Sequence, residues 1–183
     1  MVTLLLLAAG RPATATMGGP AHGPAPTAPR AIASPADAAG LEGKEIIVVN
    51  GFGTGRDENP DPMAFDITVP LVSLATGRLV GRVRHEPRCA TDSVPCLVLD
   101  DQDTYDLGDG TIVTRSKVSL SPDPAQPHIL LSSGRPPEKN IVKATGAYTG
   151  RTGRVRVSGI VDVARFPSEF TIDEIYVIVL DPR

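Results

Sequence analysis

Between Lys44 and Leu180 the chain is a succession of short runs in which apolar and polar residues alternate, punctuated by glycine and proline. A period of two puts successive side chains on opposite faces of an extended strand, so each run predicts a strand with one buried and one wet face. Glu45-Ile46-Ile47-Val48-Val49 is a compact run of β-formers that predicts a first strand ending at Gly51. The stretch from Gly51 to Pro62, with Gly53, Gly55, Asn59 and Pro60, predicts a loop. Ala64 to Leu74 and Arg78 to Arg84 alternate on either side of Ala75-Thr76-Gly77 and predict a hairpin. In its second arm Arg78, Arg82 and Arg84 share a face with Val80, opposite Leu79, Gly81 and Val83, which puts the arginines on a solvated exterior. A short strand is expected over Val94 to Leu99, an acidic loop over Asp100 to Asp109, and a strand over Thr111 to Leu120. His128 to Ser133 and Ile141 to Lys143 continue the series, interrupted by Pro136-Pro137, and Ile175 to Leu180 is a nearly continuous apolar final strand.

The densest pattern lies between Ile141 and Val163. There an alternating run enters a corner marked by Gly146, Gly150 and Gly153, and Arg154, Arg156 and Ser158 then alternate with Val155, Val157 and Gly159. No segment keeps a helical period, and the one expected helix is a turn near this corner. Eight or nine short strands with frequent turns predict an all-β fold, an antiparallel barrel or sandwich, of which we take the closed eight-stranded antiparallel barrel. Closure removes exposed edges, and the apolar last strand is expected to pair with the first. Such a barrel holds packed side chains or one small ligand. Residues 1–40 read differently: six prolines among many alanines and few charges predict a disordered segment, leaving 41–183 as the barrel domain.

Composition then narrows the function. With 183 residues and a formal charge of -3 the chain has no broad basic face, and aromatic residues make up 4% with no Trp, so nucleic acid is not an expected partner. Val2 to Ala9 followed by Ala13-Thr14-Ala15 has the form of a secretory leader without its positive start, so export is expected, with a cytoplasmic tail as the alternative. The apolar run is too short for stable membrane insertion. Cys89 and Cys96 are the only cysteines; a disulfide between them suits an oxidising compartment, while free thiols or metal ligands are the other readings. His22, His85 and His128 show no metal-ligand spacing, and no metal or cofactor is expected. The aspartates at 100, 101, 103, 106 and 109 lack the spacing of a calcium loop and read as solvated. Gly51-Phe52-Gly53-Thr54-Gly55 lacks the Lys-Ser/Thr ending of a phosphate loop.

The run Gly146-Ala147-Tyr148-Thr149-Gly150-Arg151-Thr152-Gly153 resembles the Gly-x-Tyr-x-Gly-x-x-Gly corner of the allene oxide cyclase and dirigent-like barrel superfamily. Val69-Pro70-Leu71 followed by Thr76-Gly77-Arg78-Leu79-Val80-Gly81 is similar to its second and third strands, and Cys89 falls where secreted bacterial members often carry a cysteine. The likeness spans roughly residues 44–181. It implies a cofactor-independent cyclase or isomerase that folds a small apolar substrate, of oxylipin, polyene or polyketide type, inside the barrel. The alternative it implies is an exported binding or dirigent-like barrel without turnover. Homo-oligomers are common in the family, and the Ala/Pro/Gly/Arg-rich composition suits an actinobacterial host. Its catalytic residues cannot be transferred, because the matching motifs are turns and strand boundaries.

No nucleophile elbow or triad is evident, so candidate chemistry rests on polar groups that interrupt strands. These are Glu45 in the first strand, Asp66 among apolar neighbours, Tyr105 beside the acidic run, and Glu174 and Tyr176 on one face of the last strand. A carboxylate enclosed by apolar walls can act as acid or base, and a tyrosine can hold a carbonyl. Each also has a plain surface or packing role, and Tyr148 is expected to pack the glycine corner.

Overall fold

Strand pairing closes the chain on itself. The computed structural model describes residues 41–55, 64–90, 96–134, 139–166 and 168–183, and the barrel unit runs from Gly43 to Arg183. The segment 1–40, with its leader-like run, and Pro136-Pro137 lie outside the described residues. Ten strands are described: β1 (Glu45–Gly55), β2 (Ile67–Ser73), β3 (Leu79–His85), β4 (Arg88–Cys89), β5 (Val98–Asp106), β6 (Thr111–Pro122), β7 (Ile129–Gly134), β8 (Ile141–Ala144), β9 (Gly153–Asp162) and β10 (Phe170–Leu180).

Every pairing is antiparallel. The order β5-β3-β2-β1-β10-β9-β7-β6 is joined into a closed eight-stranded barrel by the β5–β6 ladder. The two short strands continue two of the staves: β4 follows β3 along β5, and β8 occupies the edge of β6 beyond the reach of β7. The expected pairing of last strand with first is complete, from Glu45 opposite Leu180 to Gly55 opposite Phe170. The hairpin about Ala75-Thr76-Gly77 and the outward arginines of β3 are present as the alternation predicts.

Three boundaries differ from the sequence expectation. β1 continues through Gly51, Gly53 and Gly55, because these glycines occupy its inner face and leave space that Tyr176, Val69 and Ile67 fill. The stretch expected as a solvated acidic loop is β5, with Leu99, Asp101, Asp103 and Tyr105 buried on alternate positions. β10 begins at Phe170, five residues before its continuous apolar run.

The interior is built from the inward halves of these strands. Val49, Val69, Leu71, Val83, Ile112 and Ile178 are wholly or almost wholly excluded from solvent. Each such aliphatic side chain contributes about 1.5–3 kcal/mol of transfer free energy. At the glycine corner a 3-10 turn spans Gly146–Tyr148, and Gly146 takes φ 60° with its α-carbon against the Asp109 carbonyl, where a Cβ would not fit. Tyr148 is buried there and packs the corner, against Gly110. Cys89 and Cys96 form a disulfide that ties β4 to the residues leading into β5. Closing so short a loop restricts the unfolded chain by about 2–3 kcal/mol. No helix among the described residues is long and apolar enough to cross a membrane.

Candidate functional site

Within a largely apolar interior, β3, β5, β6, β7 and β10 each turn polar side chains inward. His85 ends β3 on the same face as Val83. Its cross-strand neighbour on β5 is Asp103, whose own neighbour on β6 is Thr114. On the other side of the barrel, Glu174 of β10 and Ser132 of β7 flank Gly159 of β9. With no side chain between them, the Ser132 hydroxyl reaches Glu174 Oε1 at 2.5 Å. His85, Asp101, Asp103, Thr114, Ser132 and Glu174 are all buried, and Tyr105 and Tyr176 are 0% exposed.

Six of these groups, all but Asp101 and Thr114, form one hydrogen-bonded line. Tyr105 donates to Asp103 Oδ2 at 2.9 Å, and His85 Nδ1 lies 2.6 Å from Asp103 Oδ1. His85 Nε2 lies 2.9 Å from the Tyr176 oxygen, and Tyr176 donates to Glu174 Oε2 at 2.6 Å. The protons can be counted along it. A tyrosine has one hydroxyl hydrogen, and Tyr176 gives it to Glu174, so its oxygen accepts from His85 Nε2–H. With Nδ1–H given to Asp103, His85 is an imidazolium between two anionic ends. Burial pulls its pKa down, but the Asp103 and Asp101 charges outweigh that and hold it well above the usual histidine value.

Tyr176 crosses the lumen because Gly51 lets it. A Cβ at Gly51 would stand 2.7 Å from Tyr176 Cε2, so any other residue there would push the ring away from His85. The two tyrosine rings meet edge to face with centroids 5.4 Å apart. Burial, and then the charge of Asp103 for Tyr105 and of Glu174 for Tyr176, push both hydroxyls well above the ordinary tyrosine range. Both are therefore neutral donors at physiological pH.

Asp101 stands apart. Its Oδ2 is 3.9 Å from His85 Nδ1, outside hydrogen-bond range, and Oδ1 has no partner among the described residues. Burial first, and then the Asp103 charge, push its carboxyl up to about 7. Thr114 Oγ1 likewise has no partner among the described residues. Among the described residues, His85, Asp101 and Asp103 each offer one ligand atom within 4.8 Å of the others, the spacing that a metal ion's ligands need.

Three of the five residues singled out from sequence, Tyr105, Glu174 and Tyr176, thus come together from β5 and β10. Glu45 and Asp66 do not join them. Glu45 lies at the outward start of β1, with a half-exposed side chain paired to Arg151 at 2.9 Å, and Asp66 precedes β2 and pairs with Arg84 at 3.3 Å. His85, Asp101, Asp103, Ser132 and Thr114 were not anticipated. The signal for Asp101 and Asp103 is the period of two itself, carried from Leu99 to Tyr105 despite the polarity of the two aspartates.

Comparison of the chain with protein-family models, with characterised proteins and with solved structures finds no match.

Proposed function

We propose that this barrel is an acid–base catalyst, a cofactor-independent cyclase or isomerase acting on a small, largely apolar substrate in its interior, in the manner of the allene oxide cyclase and dirigent-like barrels. The observation that carries this reading is the continuous line Asp103–His85–Tyr176–Glu174–Ser132 inside the barrel. Ring closure or double-bond migration needs one group to give a proton and another to take one, with no electron acceptor. With its hydroxyl turned from Glu174 to the substrate, Tyr176 can polarise or protonate a carbonyl or epoxide oxygen, taking the Nε2 proton of the His85 imidazolium as it gives up its own. Glu174, whose Oε2 lies 4.0 Å from His85 Nε2, can take a proton from carbon. Ser132 orients the carboxylate, and the aliphatic walls supply confinement and exclude water.

The Cys89–Cys96 disulfide supports export to an oxidising compartment. Exposed Phe52, Leu131, Ile160 and Ile175 on the outer faces of β1, β7, β9 and β10 support self-association.

The test begins with native mass spectrometry of the full chain from its own host, to identify a co-purified small molecule and its class. Unsaturated carbonyl and epoxide compounds of that class are then incubated with the protein in heavy water. Conversion without change of formula, with deuterium taken up at carbon, is the expected result, and E174Q and Y176F should each lower it at least about 100-fold. Conversion unaffected by both substitutions, or no conversion at all, would overturn the proposal.

A further inference from the structure

The geometry points to a divalent-cation site on the β5 side of this cluster, formed by His85 Nδ1, the carboxylates of Asp101 and Asp103, and the Thr114 hydroxyl. This goes beyond the acid–base reading and requires no substrate. The three ligating side chains are buried with their donor atoms within 4.8 Å of one another. Two further observations aim at the same place. Asp101 Oδ1 and Thr114 Oγ1 have no hydrogen-bond partner among the described residues, on side chains only 8% and 1% exposed. Thr114 is the cross-strand neighbour of Asp103, so both project from adjacent strands into the same part of the interior. An unpartnered buried carboxylate oxygen is costly, and a cation is one of the few groups that can satisfy it.

The outer partners that such a site requires are already present. A ligating imidazole is held by a bond from its other nitrogen, and ligating carboxylates are themselves hydrogen-bonded. Here His85 Nε2 meets Tyr176, which is bonded to Glu174, and Asp103 Oδ2 accepts from Tyr105. Two carboxylates neutralise a 2+ ion. On binding, the His85 Nδ1–Asp103 hydrogen bond is exchanged for coordinate bonds from both atoms. The Nδ1 proton, with any proton on Asp101, passes to solvent, and no electrons move. Oxygen donors with one imidazole suit Mn2+ or Zn2+, and soft ions find no thiolate because both cysteines are in the disulfide.

The test uses the full chain stripped with EDTA and dialysed against Mn2+ or Zn2+, with bound metal counted by atomic spectroscopy. Terbium luminescence excited through tyrosine reports proximity, since the chain has three tyrosines and no Trp. One equivalent is expected, with terbium emission. D101N, which removes the unpartnered charge and should fold, is expected to lose at least about 100-fold in affinity, and Y176F about 10–100-fold. T114V serves as a second, nearly isosteric probe and should also bind more weakly. Absence of stoichiometric binding, or binding unchanged in D101N and T114V, overturns the inference. Proton-transfer turnover measured in EDTA stays a separate question, so failure of either reading is visible without the other.

Discussion

Strands β5 and β10 carry the same short pattern, an inward carboxylate followed two residues later by an inward tyrosine that donates back to it: Asp103 with Tyr105, and Glu174 with Tyr176. The two units face each other across the lumen, and His85 joins them through Asp103 on one side and Tyr176 on the other. They differ in what completes them. Glu174 has its second oxygen closed by Ser132, whereas the β5 unit has a further carboxylate, Asp101, with an oxygen that nothing among the described residues closes. One unit is a finished hydrogen-bonded pair and the other retains spare ligand capacity. Sites that break the rule of satisfied burial are where chemistry or binding is to be sought.

Asp103 is the partner on which His85 leans most directly. Asp103→Ala leaves an imidazolium and a tyrosine without their common acceptor inside the barrel. Loss of one partner of a buried charge pair costs about 3–5 kcal/mol, which denaturant unfolding at neutral pH would read. A loss under about 1 kcal/mol would mean that His85 is not charged in the native protein.

Asp101 titrates near 7 in the folded chain against 3.8 ordinarily, facing Asp103 on its own strand, His85 on β3 and Glu174 on β10. Below about pH 4 it is protonated in both states and contributes nothing. Between about 4 and 7 the folded chain keeps a proton that the unfolded chain has released, so stability falls as pH rises, and the penalty is complete above 7. At about 1.4 kcal/mol per pH unit of separation, the total is at most about 4 kcal/mol. His85, with its pKa raised, adds stability below its ordinary value of 6.5 and loses it as pH rises through the folded value. EDTA-treated protein should therefore unfold at lower denaturant at pH 8 than at pH 5. D101N should abolish the part of the fall due to Asp101 between 4 and 7 and shrink the part above it, because the Asp101 charge also helps hold the His85 pKa up. Equal slopes in the two proteins would remove Asp101 from the account.

The same two strands show what was legible beforehand. β10 announces itself because its outward residues, Ile175 and Val177, are apolar too, and Glu174 and Tyr176 stand out against them. β5 hides because both faces are polar: Asp100, Gln102 and Thr104 point out while Asp101 and Asp103 point in, so hydropathy shows a loop where only the period shows a strand. The barrel, its closure through first and last strands, the hairpin and the glycine corner follow from local alternation and turn residues. The site does not, because His85 and Asp103 are 18 residues apart and His85 and Tyr176 are 91, and only strand register brings them together.

The third prediction compares the two tyrosines directly. Tyr176→Phe removes the bridge between His85 and Glu174 and strands a buried group on each side, at about 2–3 kcal/mol, while Tyr105→Phe leaves only one oxygen of Asp103 short of a donor, at about 1 kcal/mol. Unfolding of the two variants side by side checks the order. The reverse order would place the weight of the network on β5.

The smallest effect concerns the closure that makes the β10 unit complete. Ser132 reaches Glu174 across Gly159, so Ser132→Ala deletes one donor to a carboxylate that keeps Tyr176. The cost to folding should be about 1 kcal/mol, close to that of a single hydrogen bond to a buried acceptor. Its value lies in the pairing with Asp101. If an unpartnered carboxylate oxygen is what separates the two units, S132A makes Glu174 resemble Asp101, and the loss should appear in denaturant unfolding. If stability does not change, a vacant lone pair alone does not distinguish β5 from β10, and the difference rests instead on the adjacent carboxylates of Asp101 and Asp103.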